Sequence, residues 1–125
     1  MVKISQISVL KIEIRNPNKN VAEVAFKKLI ENYGGVFTNE VVDYYGIREK
    51  VDFGMRIGNK TIGIRISEKI EYLGDEFLLK DLFEKIKNDF NEIYIAMVIS
   101  EALRSLGYNV RGTKMASGIY LEAER

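Results

Sequence analysis

The run Asp43-Tyr44-Tyr45-Gly46-Ile47-Arg48 gathers an acid, two tyrosines and an arginine around a glycine. These groups suit a small site for an anion or a flat ring, because arginine gives charge-assisted hydrogen bonds and tyrosine gives a stacking face. The same run also reads as a strand end with its aromatics on the core and its charges in water. A second group is Asp52, Arg56 and Arg65 with the glycines Gly54 and Gly63. If their segments pair, Asp52 opposes Arg65 and Gly54 opposes Gly63. The facing glycines then strip one sheet face of side chains and leave a shallow groove where a ligand or another backbone could approach. A solvated face with a cross-strand ion pair, or a helix packed on the glycines, uses the same residues.

Two further groups carry weaker chemistry. Glu68, Glu71, Asp75, Glu76 and Asp81 offer oxygen ligands, but they lack calcium-loop spacing and Lys69 and Lys80 interleave. Solvated charge is the reading, and no metal is expected. Arg104, Arg111 and Lys114 lie near Tyr108 and Tyr120, a combination that can stack bases. The formal net charge of +1 argues against nucleic acid.

Histidine and cysteine are absent. That removes Ser-His-Asp catalysis, imidazole and thiolate metal sites, and disulfides. No run has the glycine spacing of a phosphate loop or a dinucleotide fingerprint, so no cofactor is expected. Carboxylates, lysines, tyrosines and arginines remain.

The elements that must position these residues are legible from periodicity. The chain has 125 residues, 46% hydrophobic and 30% charged, as expected of one α+β domain spanning 1–125. Ile4 to Ile14 reads as a first strand, with Ile12 and Ile14 on one face. Asn20 and Glu23 resemble a capping box, and Ala22, Ala25, Phe26, Leu29 and Tyr33 follow at helical spacing to Gly34-Gly35. Val36 to Tyr45 supplies one or two strands. Lys50–Ile57 and Thr61–Ser67 alternate around a Gly58-Asn59 turn, which pairs Met55 with Ile62, Phe53 with Ile64 and Val51 with Ile66. Glu68–Gly74 extends the sheet.

After Asp75 the chain turns helical and stays so to Leu106, with two offset apolar stripes. The offset predicts a break between Asn88 and Glu92, or else one long helix buried on two sides. Gly107 caps it, and Tyr108–Lys114 with Gly118–Glu124 forms a closing hairpin. The order is β-α-β-β-β-β-α-β-β, with two helical segments on one face of a mostly antiparallel sheet. The glycine-to-strand passages after Leu29 and after Leu103 echo each other and admit two related halves. Heavy Ile and Lys use, Glu over Asp and a single Gln suit a thermophile or an AT-rich genome. No apolar run suits a bilayer span or a signal peptide, so the expected location is cytoplasmic.

Ser5-Gln6-Ile7, Tyr44-Tyr45-Gly46, Ile62-Gly63-Ile64-Arg65, Tyr94 with Gly107-Tyr108, and Ser117-Gly118-Ile119-Tyr120-Leu121 together resemble a functionally uncharacterised family encoded in cyanobacterial and algal chloroplast genomes, with bacterial and archaeal relatives. Ser5-Gln6-Ile7 resembles its opening, and Tyr44-Tyr45-Gly46 its Tyr-x-Gly segment. Ile62-Gly63-Ile64-Arg65 is similar to its hydrophobic-Gly-aromatic-Arg strand. Tyr94, thirteen residues before Gly107-Tyr108, matches its spacing from a helix tyrosine to a terminal Gly-Phe. Ser117-Gly118-Ile119-Tyr120-Leu121 is similar to its last strand, with Ser117 for the usual Asp and Ile64 for the usual aromatic. The resemblance implies no reaction. It implies association with an ATPase of the AAA type, and attention to Tyr44, Gly46, Gly63, Arg65 and Tyr94.

The expectation is a binding or accessory module that contacts a protein partner or itself through its sheet, with contacts among Tyr44, Gly46, Arg48, Asp52, Gly54, Gly63, Arg65 and Tyr94. The alternatives are an enzyme or binder of a small anion using Tyr44, Asp52, Arg65 or Tyr94, and nucleic-acid binding by the C-terminal hairpin.

Overall fold

The computed structural model describes residues 3–8, 14–115 and 118–125. The expected continuation of the first strand through residues 9–13, and Ser117, lie outside them. In chain order the elements are β1 (Lys3–Ser8), α1 (Lys19–Tyr33), β2 (Val36–Val42), β3 (Arg48–Ile57), β4 (Lys60–Ile66) and β5 (Ile70–Gly74). Then come α2 (Glu76–Leu79), α3 (Asp81–Ser105), β6 (Asn109–Met115) and β7 (Gly118–Glu124). The class is α+β and the order is the expected one. The strands fall into two antiparallel sheets, β2-β3-β4-β5 and β1-β7-β6.

The chain enters α1 through Pro17, and the capping residue is Asn18, not Asn20. The Asn18 carboxamide accepts from the Asn20 and Val21 amides at 2.9 and 3.1 Å. Its extended backbone, φ −80° and ψ 114°, is the cap conformation, which leaves Asn20 already helical. At the far end, Gly34 takes φ +63°, and the Gly34 and Gly35 amides return to the carbonyls of Glu31 and Ile30. The end of α3 repeats this motif: Gly107 has φ +90°, and the Gly107 and Tyr108 amides return to Arg104 and Leu103. The echo in the sequence is therefore a shared way of stopping a helix. The strands that follow lie in different sheets.

The central hairpin keeps the expected register from Ile57↔Lys60 to Phe53↔Ile64, including Gly54↔Gly63. Beyond Phe53 it departs. The β2–β3 pairing runs Thr38↔Gly54 and then Glu40↔Lys50, so β3 spends two extra residues there. This bulge turns Val51 away from Ile66 and onto the glycine face, where its methyls lie 2.7 and 2.9 Å from where a Gly63 Cβ would sit. Asp52 likewise does not face Arg65 across the ladder. Its carboxylate accepts the Ile66 amide at 2.7 Å, standing in for the missing strand partner.

The opposite face of this sheet packs on both helices. Phe26 of α1 contacts Phe53 and Phe90 at 6.5 and 5.9 Å between ring centres, and Tyr72 of β5 meets Phe90 edge-on at 6.0 Å. Met55, Ile62, Ile64, Leu29 and Ile86 are fully buried there. α3 is one helix of 25 residues through Asn88–Glu92. The chain breaks instead at Lys80, which takes φ 53° and ψ −129°. The two apolar stripes exist because α3 is covered twice: by α1 and the four-stranded sheet, and by β6–β7, whose Leu121 joins the same core. No described helix is long and apolar enough to cross a membrane.

Candidate functional site

The loop between β2 and β3 is tied down by a set of hydrogen bonds. One Asp43 carboxylate oxygen accepts from the Tyr45 and Ile47 amides, each at 2.9 Å. The Asp43 backbone closes the loop through its carbonyl with Gly46 and its amide with Ile47, both at 3.1 Å. Gly46 has φ +82°, which a side chain would strain. A second aspartate ties this loop to α2. Asp75 takes the Tyr44 amide on Oδ2 at 2.8 Å and the Phe77 amide on Oδ1 at 2.9 Å.

What this scaffold presents is apolar. Tyr44, Tyr45, Ile47 and Phe77 are 63%, 84%, 60% and 74% exposed. The Tyr44 ring stands edge-on to Tyr45 at 5.3 Å and to Phe77 at 6.0 Å. Arg48 borders the loop, paired with Glu40 at 3.2 Å. Burying one such side chain is worth roughly 1.5–3 kcal/mol, and a chain that packs Phe90 completely leaves this gain unused in four neighbours.

The other expected contact residues lie elsewhere. Gly54 and Gly63 are buried, and Val51 fills the groove expected over them. Asp52 reaches Lys19 at 3.3 Å. Arg65 donates from Nε to the Lys50 carbonyl at 3.0 Å and pairs with Glu49 at 3.2 Å and Glu71 at 3.7 Å. Tyr94 is a core residue whose hydroxyl accepts the Asn18 amide at 2.8 Å. No hydrogen bond or ion pair joins Tyr44, Asp52, Arg65 and Tyr94 to one another among the described residues. In the C-terminal hairpin, Arg111 pairs with Glu122 at 2.9 Å and Lys114 with Glu92 at 3.1 Å. Of the acidic stretch, Asp75 holds the aromatic platform and Glu71 joins Arg65. Among the described residues no acidic trio gathers at metal-binding distance.

Sequence reasoning reached Tyr44, Gly46 and Arg48 but missed Phe77, because its link to the loop runs through Asp75, 31 residues from Tyr44. The Asp75-Glu76-Phe77 run, an aspartate one step before a helix, was the available signal. It also missed a polar tie at the end of α1. Tyr33 donates to Asp89, and Lys85 donates to the Tyr33 hydroxyl at 2.9 Å and to Asp89 at 3.2 Å. Burial, then the Asp89 hydrogen bond, pushes the Tyr33 hydroxyl above its ordinary range. The hydrogen bond to Tyr33 raises Lys85 as well. A Lys85/Asp89 pair four apart on a helix is too common to signal this.

No protein-family model matches this chain, and no match is found among curated proteins or solved structures.

Proposed function

We propose that this chain is a protein-binding module that docks through the aromatic platform of Tyr44, Tyr45, Ile47 and Phe77. The observation that carries this reading is four large exposed apolar side chains on a backbone pinned by Asp43 and Asp75. A surface held in one conformation loses little entropy on binding, which is what a docking surface needs. Support lies with the loop more than with the edge of its sheet. On β2 the Glu40 amide is taken by the Thr38 hydroxyl at 3.3 Å, and the Val42 amide by the Thr61 hydroxyl at 2.8 Å. Those groups are then withheld from an added strand.

The partner is a second copy or another protein. The resemblance to the chloroplast-encoded family makes an AAA-type ATPase the first one to try. The test is a Tyr45→Ala/Phe77→Ala double variant, compared with the parent by sedimentation velocity from micromolar to millimolar concentration, alone and with an ATPase of that class. Both side chains are solvent-facing, so the melting temperature should hold while association is lost. Association of equal strength in the variant would overturn the reading.

A further inference from the structure

A second surface, remote from the aromatic platform, has a different character. α1 and the β6–β7 hairpin flank a length of α3 and leave between them a groove of about 1050 Å³. Its floor is Ile93, Ala96 and Met97 of α3, and one wall is Val21 and Val24 of α1. The other wall is β6 at Gly112, Thr113 and Lys114. We propose that this groove binds an extended segment of a partner protein, laid as an added strand along the outer edge of β6.

Three observations carry this. The first is size. The groove follows α3 from Lys85 to Arg104, roughly 28 Å at the helical rise of ~1.5 Å per residue, which is the length of about eight residues of extended chain at ~3.4 Å each.

The second observation is the strand edge. Among the described residues β6 pairs with β7 alone, over its full length. Alternate residues of β6 therefore turn their amides and carbonyls outward. Gly112 opens the approach. A Cβ there would meet only Leu121, at an ordinary 3.6 Å, so packing does not demand the glycine. A peptide strand would gain main-chain hydrogen bonds from the edge and lay every second side chain on the apolar floor.

The third is charge. The lining holds Lys28, Lys85, Lys114 and Arg104 against Asp89 and Glu101. The lysines are paired, with Glu31, Asp89 and Glu92 respectively. Arg104 has no ion-pair partner among the described residues. The fitting segment is apolar at alternate positions and carries a carboxylate at the Arg104 end.

The test is selection of a random dodecapeptide phage library on the full chain. Enriched sequences should place apolar residues at every second position with an acid near one end. The best synthetic peptide, followed by fluorescence anisotropy, should lose about tenfold or more in affinity in Gly112→Leu, which fills the groove, and less in Arg104→Ala. Outward β6 amides should exchange more slowly once peptide is added. Should Gly112→Leu not fold, Val24→Glu, at a half-exposed wall position, serves instead. The Tyr45→Ala/Phe77→Ala variant should bind the peptide normally, which separates this site from the aromatic platform. The proposal is overturned by a library that yields no binders, by binders spaced for a helix, or by binding that survives both groove variants. Slow β6 exchange that grows with protein concentration alone would assign the edge to a second copy and overturn it too.

Discussion

At the scale of single residues, the pair Gly54 and Gly63 shows how far a pattern can be read. Their facing position follows from the Gly58-Asn59 turn, because turn geometry and apolar alternation demand the same register. What covers them does not follow, since it depends on the bulge in β3 beside which Asp52 accepts the Ile66 amide. The consequence is measurable. Gly63→Ala should destabilise by about 1–3 kcal/mol in urea denaturation, because the new methyl collides with the Val51 methyls. Adding Val51→Ala should recover part of that loss relative to Val51→Ala alone. Gly54→Ala should show no such rescue, because its nearest obstacle is the Thr38 carbonyl at 2.6 Å, which no side-chain change removes. The candidate site divides in the same way. Tyr44 and Gly46 were visible as aromatics at a turn glycine, whereas Phe77 and the Asp75 bridge needed the fold.

At the scale of elements, α3 shows what periodicity leaves open. An offset between two apolar stripes arises if a helix bends, and equally if it is straight and sheathed on two sides. A single sequence does not distinguish the cases, because both put the same residues out of water. The actual break, at Lys80, carries no glycine or proline to announce it. A lysine there holds a conformation that glycine accepts without strain. Lys80→Gly should therefore stabilise the protein by about 1 kcal/mol, read as a raised urea midpoint at unchanged slope. A drop in stability would show that the side chain, and not the backbone, matters there. The cap of α1 was misplaced by two residues for a related reason: Asn18 and Asn20 are equally good capping types, and only the extended backbone after Pro17 selects the first.

At the scale of the whole molecule, proton linkage gives a signed expectation. Burial holds the Tyr72 hydroxyl far above the tyrosine range, and burial with the Asp89 hydrogen bond raises Tyr33. Lys85 is raised alongside. On unfolding these groups return to ordinary values near 10, so above about pH 10 the unfolded chain sheds protons that the folded chain keeps. Their stabilising contribution is thus complete below about pH 10 and declines as pH rises through the folded values. Urea midpoints should fall between about pH 9.5 and 11.5, and fall less steeply in Tyr33→Phe/Tyr72→Phe. An equal slope in the double variant would assign the alkaline loss to other groups.

The pairing of β1 with β7 bears on how the molecule is made. Lys3 lies beside Glu124, and β1 pairs with no other strand among the described residues. On the ribosome, which delivers roughly 5–20 residues per second, β1 emerges well before the strand that receives it. α1 and the four-stranded sheet have their partners in hand by the time α3 is complete, while the second apolar stripe of α3 still lacks the strands that cover it. The smaller sheet, and the cover it gives α3, must wait for translation to reach β7.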